Sequence, residues 1–377
     1  MVDATNNPLS GLWKNTQVEQ VYYGPDCVNK HLVDTLPSSS SKAFIITGSS
    51  LAEKTQLVSQ VEKLLGERHA GTFSKIKQHA PVADLDKATE QVQHDSTIDT
   101  IISIGGGSPI DSAKAISYRL NEKSQKYLYH ITIPTTLSAA ECTMMAGYTN
   151  LEGKKVGVAH PRLVPNVIFY DAKFALETPS RLWISTGIRA LDHAVETMYH
   201  PTASESPARQ MAINAVSGLF THLPKYKEDS KNIDHITNLQ LASYGSLGFI
   251  GLNLKGGLGL SHSLGYALGS PYGIPHGITS CLTLGHVVKL KAEDPKSAEQ
   301  LARLLPFIGH GRTGNDEADA TKLGDEILNL VNNLGLASRL GDHKVGDDQA
   351  PIVAKLATGS DSGVLYDKVL QLVKTLY

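Results

Sequence analysis

Short apolar runs alternate with amphipathic stretches in the first half of the chain. Helical spacing of apolar residues is visible from Leu51 to Leu65, and a second helix is expected to begin near Pro109. Four runs rich in branched and aromatic residues have the length of buried strands: Phe44–Thr47, Thr100–Ile104, Tyr129–Ile133 and Val167–Tyr170. This alternation predicts β–α units around a mostly parallel sheet.

The pattern changes after Asp171. Helical patterns follow one another without a strand-like run of similar strength: Pro207–Leu223, His235–Ile250, Ile278–Ala292, Ser297–Leu305, Glu317–Leu334, Asp347–Leu356 and Gly363–Leu376. We therefore predict an α/β domain over residues 1–174 and an all-α domain over residues 175–377.

Composition and charge narrow the class of partner. The 377 residues suffice for two cores, and a formal net charge of -2 gives no global field that would attract nucleic acid or a membrane. Cys27, Cys142 and Cys281 are far apart and odd in number, which favours a reducing compartment. The N-terminus has no signal-peptide pattern, and no apolar run approaches the ~20 residues of a membrane span. We expect a cytoplasmic protein.

A glycine cluster lies where the second strand candidate meets its helix. Because Gly105, Gly106 and Gly107 have no side chains, the backbone there can approach a phosphate closely. The helix N-terminus after Ser108 favours an anion. Pro109 suits the first turn of that helix. A tight turn that simply requires glycine is the alternative, and the cluster alone does not separate the two interpretations.

Two segments in the second half of the chain carry histidines that are candidates for a reaction site. The sequence Gly-Ile-Arg-Ala-Leu-Asp-His-Ala-Val-Glu carries Arg189 and His193, which are four residues apart and share a helix face. The later segment, residues 256–277, carries His262 and His276.

These segments, the glycine cluster and the Pro-Thr-Thr-Leu-Ser stretch after Ile133 resemble the iron-containing alcohol dehydrogenase family. The likeness extends over essentially the whole chain. It implies a dehydroquinate synthase-like fold, with a Rossmann-like nucleotide-binding domain before an all-α domain, and it implies a homodimer. The implied cofactor is NADH or NADPH, with Asp111 near the nicotinamide and the other contacts made by Gly105, Gly106, Gly107, Ser108, Thr135, Thr136 and Ser138. Ala140 stands where relatives usually carry Ser.

The choice between the two dinucleotides is usually made at the end of an earlier strand. An acidic residue there accepts a hydrogen bond from the ribose 2′-hydroxyl and repels a 2′-phosphate. Many relatives carry Asp at the position of Gly48, whereas this chain has no carboxylate there and offers Ser49 and Ser50 as donors. A turn glycine is the alternative reason for Gly48. We interpret the segment as permitting NADPH.

The family's metal site is altered in this chain. In the family, an Asp and a His four apart and two later His residues bind the metal. Arg189 stands at the Asp position and Leu258 at the first late His position, so that only His193 and His276 remain. Two imidazoles beside a guanidinium are a poor ligand set for a divalent cation. We therefore expect no metal.

One branch, the maleylacetate reductases, departs from the metal motif similarly. Its members carry an amide residue at the Asp position and read Gly-Leu-Gly-Leu-His-His in the later segment. Ser261 replaces the first of those two His residues here, and His79-Ala-Pro also resembles the branch. The resemblance implies hydride transfer to a small unsaturated or keto carboxylate.

Without a metal, side chains must stabilise negative charge and deliver a proton. We assign the proton donor to His262, substrate orientation to His193 and His276, and a secondary role to Tyr266. Asp192 is expected to face elsewhere, since successive helical residues point about 100° apart.

Arg189 has two interpretations. It is expected to anchor a substrate carboxylate bidentately, or else to pair with an acidic side chain and close the site.

The leading hypothesis is thus a metal-independent NAD(P)H-dependent reductase of small anionic substrates. The alternatives are a metal-dependent alcohol dehydrogenase and a relative repurposed for non-redox lyase or cyclase chemistry.

Overall fold

The computed structural model describes residues 13–77, 80–150, 152, 155–248 and 253–377. His79 and the end of the helical pattern at Ile250 lie outside these residues. The chain divides into two compact units: Asn15–Pro179 with Lys231–Leu241, and Ser180–Ser230 with Ala242–Tyr377. The division at residues 174 and 175 stays a prediction.

A six-stranded parallel sheet forms the centre of the first unit, in the order β1-β8-β5-β4-β2-β3. The strands and a separate antiparallel pair, β6 and β7, have these bounds: β1 Gln20–Tyr23, β2 Lys42–Thr47, β3 His69–Phe73, β4 Ile98–Gly105, β5 Tyr129–Pro134, β6 Met145–Thr149, β7 Lys155–Ala159 and β8 Val167–Tyr170. The four predicted strands are present, and the sequence pattern missed β1 and β3, which lie at the edges.

Helices cover both faces of this sheet, with these bounds: α1 Cys27–His31, α2 Ser49–Lys54, α3 Leu57–Leu65, α4 Val82–His94, α5 Gly107–Ser124 and α6 Ala172–Ala175. Successive strand residues point to opposite faces, so Ile102 packs in one core with Val61 of α3, whereas Ile101 packs in the other with Leu85 of α4. Burial on both faces explains why β4 and β5 are rich in isoleucine, and it extends to the polar residues Thr100, Ser103, His130 and Thr132.

The described residues after Tyr170 form helices and no strand, as predicted: α7 Ser180–Tyr199, α8 Gln210–Glu228, α9 Ile233–Leu247, α10 Leu260–Tyr272, α11 His276–Lys291, α12 Pro295–Ala302, α13 Asp316–Asn333, α14 Ala350–Thr358 and α15 Val364–Lys374. Every residue of α7 from Trp183 to Met198 is buried. α7 crosses α11 closely, because a Cβ added to Gly277 would lie 2.6 Å from the Ser185 carbonyl. Within the described residues, no helix combines the length and apolarity that crossing a membrane requires.

Candidate active site

A buried polar cluster lies where α7 meets α10 and α11 in the second unit. Helix α7 contributes Arg189, Asp192, His193 and Glu196, which lie within about two turns of the helix. All four are buried, and so is His262 of α10. Because buried charged groups need partners, the contacts within this cluster determine its chemistry.

Asp192 is the acceptor at the centre of the cluster. Its Oδ2 accepts hydrogen bonds from the Ser280 hydroxyl at 2.5 Å and the Ser261 hydroxyl at 2.9 Å, and Arg189 Nη1 lies 3.5 Å from it. Burial alone raises the pKa of Asp192, but the charges of His262 and Arg189 and the Ser280 hydrogen bond hold it below its ordinary value. The expectation that Asp192 faces elsewhere is wrong. α7 is enclosed, so a direction 100° away from His193 is still inside the protein.

The contacts of Arg189 agree with the interpretation in which it pairs with an acidic side chain. Its Nη1 contacts Asp192 and donates to the Ser280 hydroxyl at 3.1 Å, and the side chain is almost fully buried. Gly265 makes room for it, because a Cβ there would lie 3.2 Å from Arg189 Nη1. Anchoring of a substrate carboxylate by Arg189 stays a prediction.

Glu196 orients the histidine of α10. Its Oε2 lies 2.7 Å from His262 Nδ1, while its Oε1 accepts hydrogen bonds from the Ser261 backbone at 2.7 Å and the Tyr199 hydroxyl at 2.8 Å. Glycine is required at the N-cap of α10, since a Cβ on Gly259 would lie 2.6 Å from Glu196 Oε1. No sequence pattern singled out Glu196 for a role, although it stands four residues after Asp192.

The rings of His193 and His262 lie side by side, with centroids 4.9 Å apart. His262 Nε2 and His193 Nδ1 are buried and have no hydrogen-bond partner in the structure. Burial and the Arg189 charge lower the pKa of His262, but Asp192 and Glu196 outweigh them and raise it above its ordinary value. Burial, His262 and Arg189 lower the pKa of His193 well below that value. The two pKa shifts have opposite directions, so the surroundings favour the protonated form of His262 and the neutral form of His193.

The other two predicted residues, His276 and Tyr266, lie together. His276 is the first residue of α11, and its ring meets the Tyr266 ring edge-on at a centroid distance of 6.2 Å. Tyr266 is half exposed, with 52% of its surface accessible. Their catalytic roles stay predictions.

In the first unit, the glycine cluster and the loop after β5 lie against each other. Helix α5 begins at Gly107, two residues before the expected start, and Gly105 has a φ of 139° that favours glycine. A Cβ on Gly106 would lie 2.9 Å from the Thr136 methyl group, and one on Gly107 would lie 3.5 Å from the Ser138 hydroxyl. Bare backbone and hydroxyl groups thus form one cradle, which suits a diphosphate.

Four other predicted cofactor residues have defined surroundings. Asp111 Oδ2 accepts a hydrogen bond from the Gly147 backbone at 3.1 Å, and Thr135 N donates to the Gly105 carbonyl at 2.9 Å. Gly48 caps α2, with Ser49 as the first helical residue, and a Cβ on Gly48 would lie 3.2 Å from the Ile76 carbonyl.

Three buried residues could together bind a metal ion, so the structure does not support the expected absence of a metal. Ligand atoms of Asp192, Glu196 and His262 lie within 4.8 Å of one another. As arranged, however, the trio does not fit a divalent cation. The 2.7 Å between His262 Nδ1 and Glu196 Oε2 is a hydrogen-bond distance, and the Arg189 guanidinium already neutralises Asp192.

Both halves of the chain are similar to known proteins. The family model for iron-containing alcohol dehydrogenase matches residues 19–172, and the model for the C-terminal region of that family matches residues 183–368. The maleylacetate reductase of Sphingobium indicum is 28% identical, covering 89% of this chain and 88% of that protein. The dehydrogenase FUM7 of Gibberella moniliformis is 32% identical, covering 85% of each chain. The crystal structure of maleylacetate reductase from a Rhizobium species, 22% identical, superposes with a TM-score of 0.80 and covers 98% of each chain.

The fold and these similarities define an oxidoreductase with a dehydroquinate synthase-like architecture. The chain belongs to the iron-containing alcohol dehydrogenase family, in its maleylacetate reductase-like branch.

Proposed function

We propose that this protein is an NAD(P)H-dependent reductase of a small unsaturated or keto carboxylate that works without a metal ion. The observation that carries the proposal is the Glu196–His262 pair. Glu196 holds Nδ1 of the His262 ring in a hydrogen bond. The other ring nitrogen, Nε2, has no protein partner.

The cradle in the first unit suits a dinucleotide, because Gly106 and Gly107 bring backbone without side chains close to Thr136 and Ser138 at the N-terminus of α5. When bound, NAD(P)H supplies the hydride. No carboxylate stands at Gly48 to repel a 2′-phosphate, so NADPH is accepted.

Reduction of a carbonyl or a conjugated alkene leaves negative charge on the substrate, and a proton must follow. His262 is the proton donor through Nε2, while Asp192 and Glu196 stabilise its protonated form. Arg189 and a protonated His262 balance the two carboxylates, so the cluster needs no further cation. His193, which stays neutral, offers a hydrogen bond for substrate orientation.

Metal content tests this proposal against a metal-dependent dehydrogenase, for which Asp192, Glu196 and His262 would be the candidate ligands. We expect purified protein to contain no stoichiometric iron or zinc and to keep its turnover in a chelator. The double variant Arg189→Asp/Leu258→His, which rebuilds the family's ligand set, is the positive control for metal uptake. One tightly bound metal per wild-type chain, lost together with activity, would contradict metal independence.

Maleylacetate, named in the relatives, is the first substrate to assay. Failure to bind NADH or NADPH would overturn the proposed function altogether. Binding of a dinucleotide without turnover of any small keto or unsaturated carboxylate would overturn its substrate class.

Arg189→Ala tests whether the substrate is anionic. If Arg189 anchors the substrate carboxylate in addition to pairing with Asp192, KM should rise for a keto-acid, by about 2 kcal/mol in apparent binding, and change much less for its neutral ester, because a charge-assisted contact is lost. Arg181→Ala, on the exposed part of the same helix, is the matched control. Equal effects on acid and ester, measured by steady-state kinetics, would show that Arg189 serves only its ion pair with Asp192.

A further inference from the structure

Lys114 of α5 is a fully buried cation outside the histidine cluster. None of its surface is accessible, and its ammonium group lies within 3.1 Å of four oxygen atoms. These are the carbonyl oxygens of Ala140 at 2.6 Å, Thr143 at 2.7 Å and Met145 at 2.9 Å, with the Thr143 hydroxyl at 3.1 Å. One side chain thus binds the backbone at three points of a single loop.

That loop follows directly on the predicted dinucleotide contacts. Its course is unusual, because Ala139 has a φ of 56°, which residues with a side chain rarely adopt. Removal of the ammonium group would take a charged donor from all three carbonyl groups at once, although the Thr143 hydroxyl also donates to those of Ala140 and Met145. Lys114 thus connects three points of the loop through one charged donor.

The same helix also carries the other side of the cradle. α5 begins at Gly107, where an added Cβ would lie 3.5 Å from the Ser138 hydroxyl and 3.7 Å from the Ala140 Cβ. Asp111, one turn before Lys114, lies 3.9 Å from its ammonium group and accepts the Gly147 backbone N–H. Both loops of the cradle are thus connected to α5.

We propose that Lys114 is a positioning residue for the dinucleotide: its buried ammonium fixes residues 140–145 and thereby holds Thr136 and Ser138 against Gly106 and Gly107. This inference rests on the proposed function, since it assumes that the cradle binds a dinucleotide. Lys114 itself contacts the loop and not the ligand.

Titration with NADPH, followed by fluorescence, compares Lys114→Met with Lys123→Met. Lys123 lies at the exposed end of the same helix, where it contacts Gln93. We expect Lys114→Met to raise the dissociation constant about tenfold or more, and Lys123→Met to leave it within about twofold. In the assay, KM for NADPH should rise while kcat at saturation stays near the wild-type value.

Two further measurements separate positioning from loss of stability. Ser103→Ala removes hydrogen bonds to His130 and Thr132 elsewhere in this unit, and we expect it to lower the unfolding temperature without changing NADPH affinity. Hydrogen exchange of residues 139–147 should quicken in Lys114→Met and stay unchanged in Ser103→Ala.

Thr143→Val decides the matter if Lys114→Met does not fold. It removes one acceptor of the ammonium group, and we expect a smaller rise in the dissociation constant in the same direction. Folded Lys114→Met, or failing that Thr143→Val, with wild-type NADPH affinity would overturn the inference alone. Wild-type protein that binds no dinucleotide would overturn the proposed function instead.

Discussion

His262→Ala is expected to lower kcat by about 10²–10⁴, the range for removal of a positioned acid, with dinucleotide affinity nearly unchanged. The physical reason is the buried Nε2, which has no protein partner, on a ring that Glu196 holds through Nδ1 at 2.7 Å. Steady-state turnover of His262→Ala, His193→Ala and His276→Ala, with NADPH titration of each, measures the effect. The latter two variants should be milder if those residues only orient the substrate.

Glu196→Gln is the companion variant, because it keeps the size of the side chain. Asp192 and Glu196 raise the pKa of His262, whereas Arg189 lowers it. A proton donor acts below its pKa, so reduction should weaken as the pH rises through the raised pKa of His262. In Glu196→Gln this loss should begin at lower pH. If His262→Ala turns over normally while His193→Ala or His276→Ala is inactive, the proton donor is misassigned.

Gly106→Val is expected to abolish dinucleotide binding while leaving the protein folded. Gly106 caps α5, and even a Cβ there would lie 2.9 Å from the Thr136 methyl group and 3.1 Å from its hydroxyl. A larger side chain must displace Thr136 and occupy the space in front of the helix N-terminus, where the backbone N–H groups would meet the diphosphate. Fluorescence titration should detect no binding at NADPH concentrations that saturate the wild-type protein.

Gly311→Val is the control, since a Cβ at Gly311 meets no atom within 4 Å. Circular dichroism and the unfolding temperature establish that both variants are folded. Gly106→Ala should fall between wild type and Gly106→Val. If folded Gly106→Val bound NADPH with wild-type affinity, the assignment of the cradle as the dinucleotide site would be wrong.

Local patterns in the sequence determined the architecture. β4 and β5 are buried on both faces, and their isoleucine-rich sequences can be recognised as strands without knowing their neighbours. β1 and β3 lie at the sheet edges, where most of their residues are not fully buried, and their short sequences carry no comparable signal. The glycine cluster was visible because a strand–helix junction is itself local.

Only the tertiary structure decided the partners within the histidine cluster. Family resemblance selected His193, His262 and Arg189. Helix periodicity shows which residues share a face of a helix, but it does not show how many faces of that helix pack against the rest of the protein. α7 is buried on all sides, so Asp192 and Glu196 join the cluster although they are not at the motif's ligand positions. The contacts with Ser261, Ser280 and His262 join α7 to α10 and α11, and segments so far apart in sequence meet only through packing.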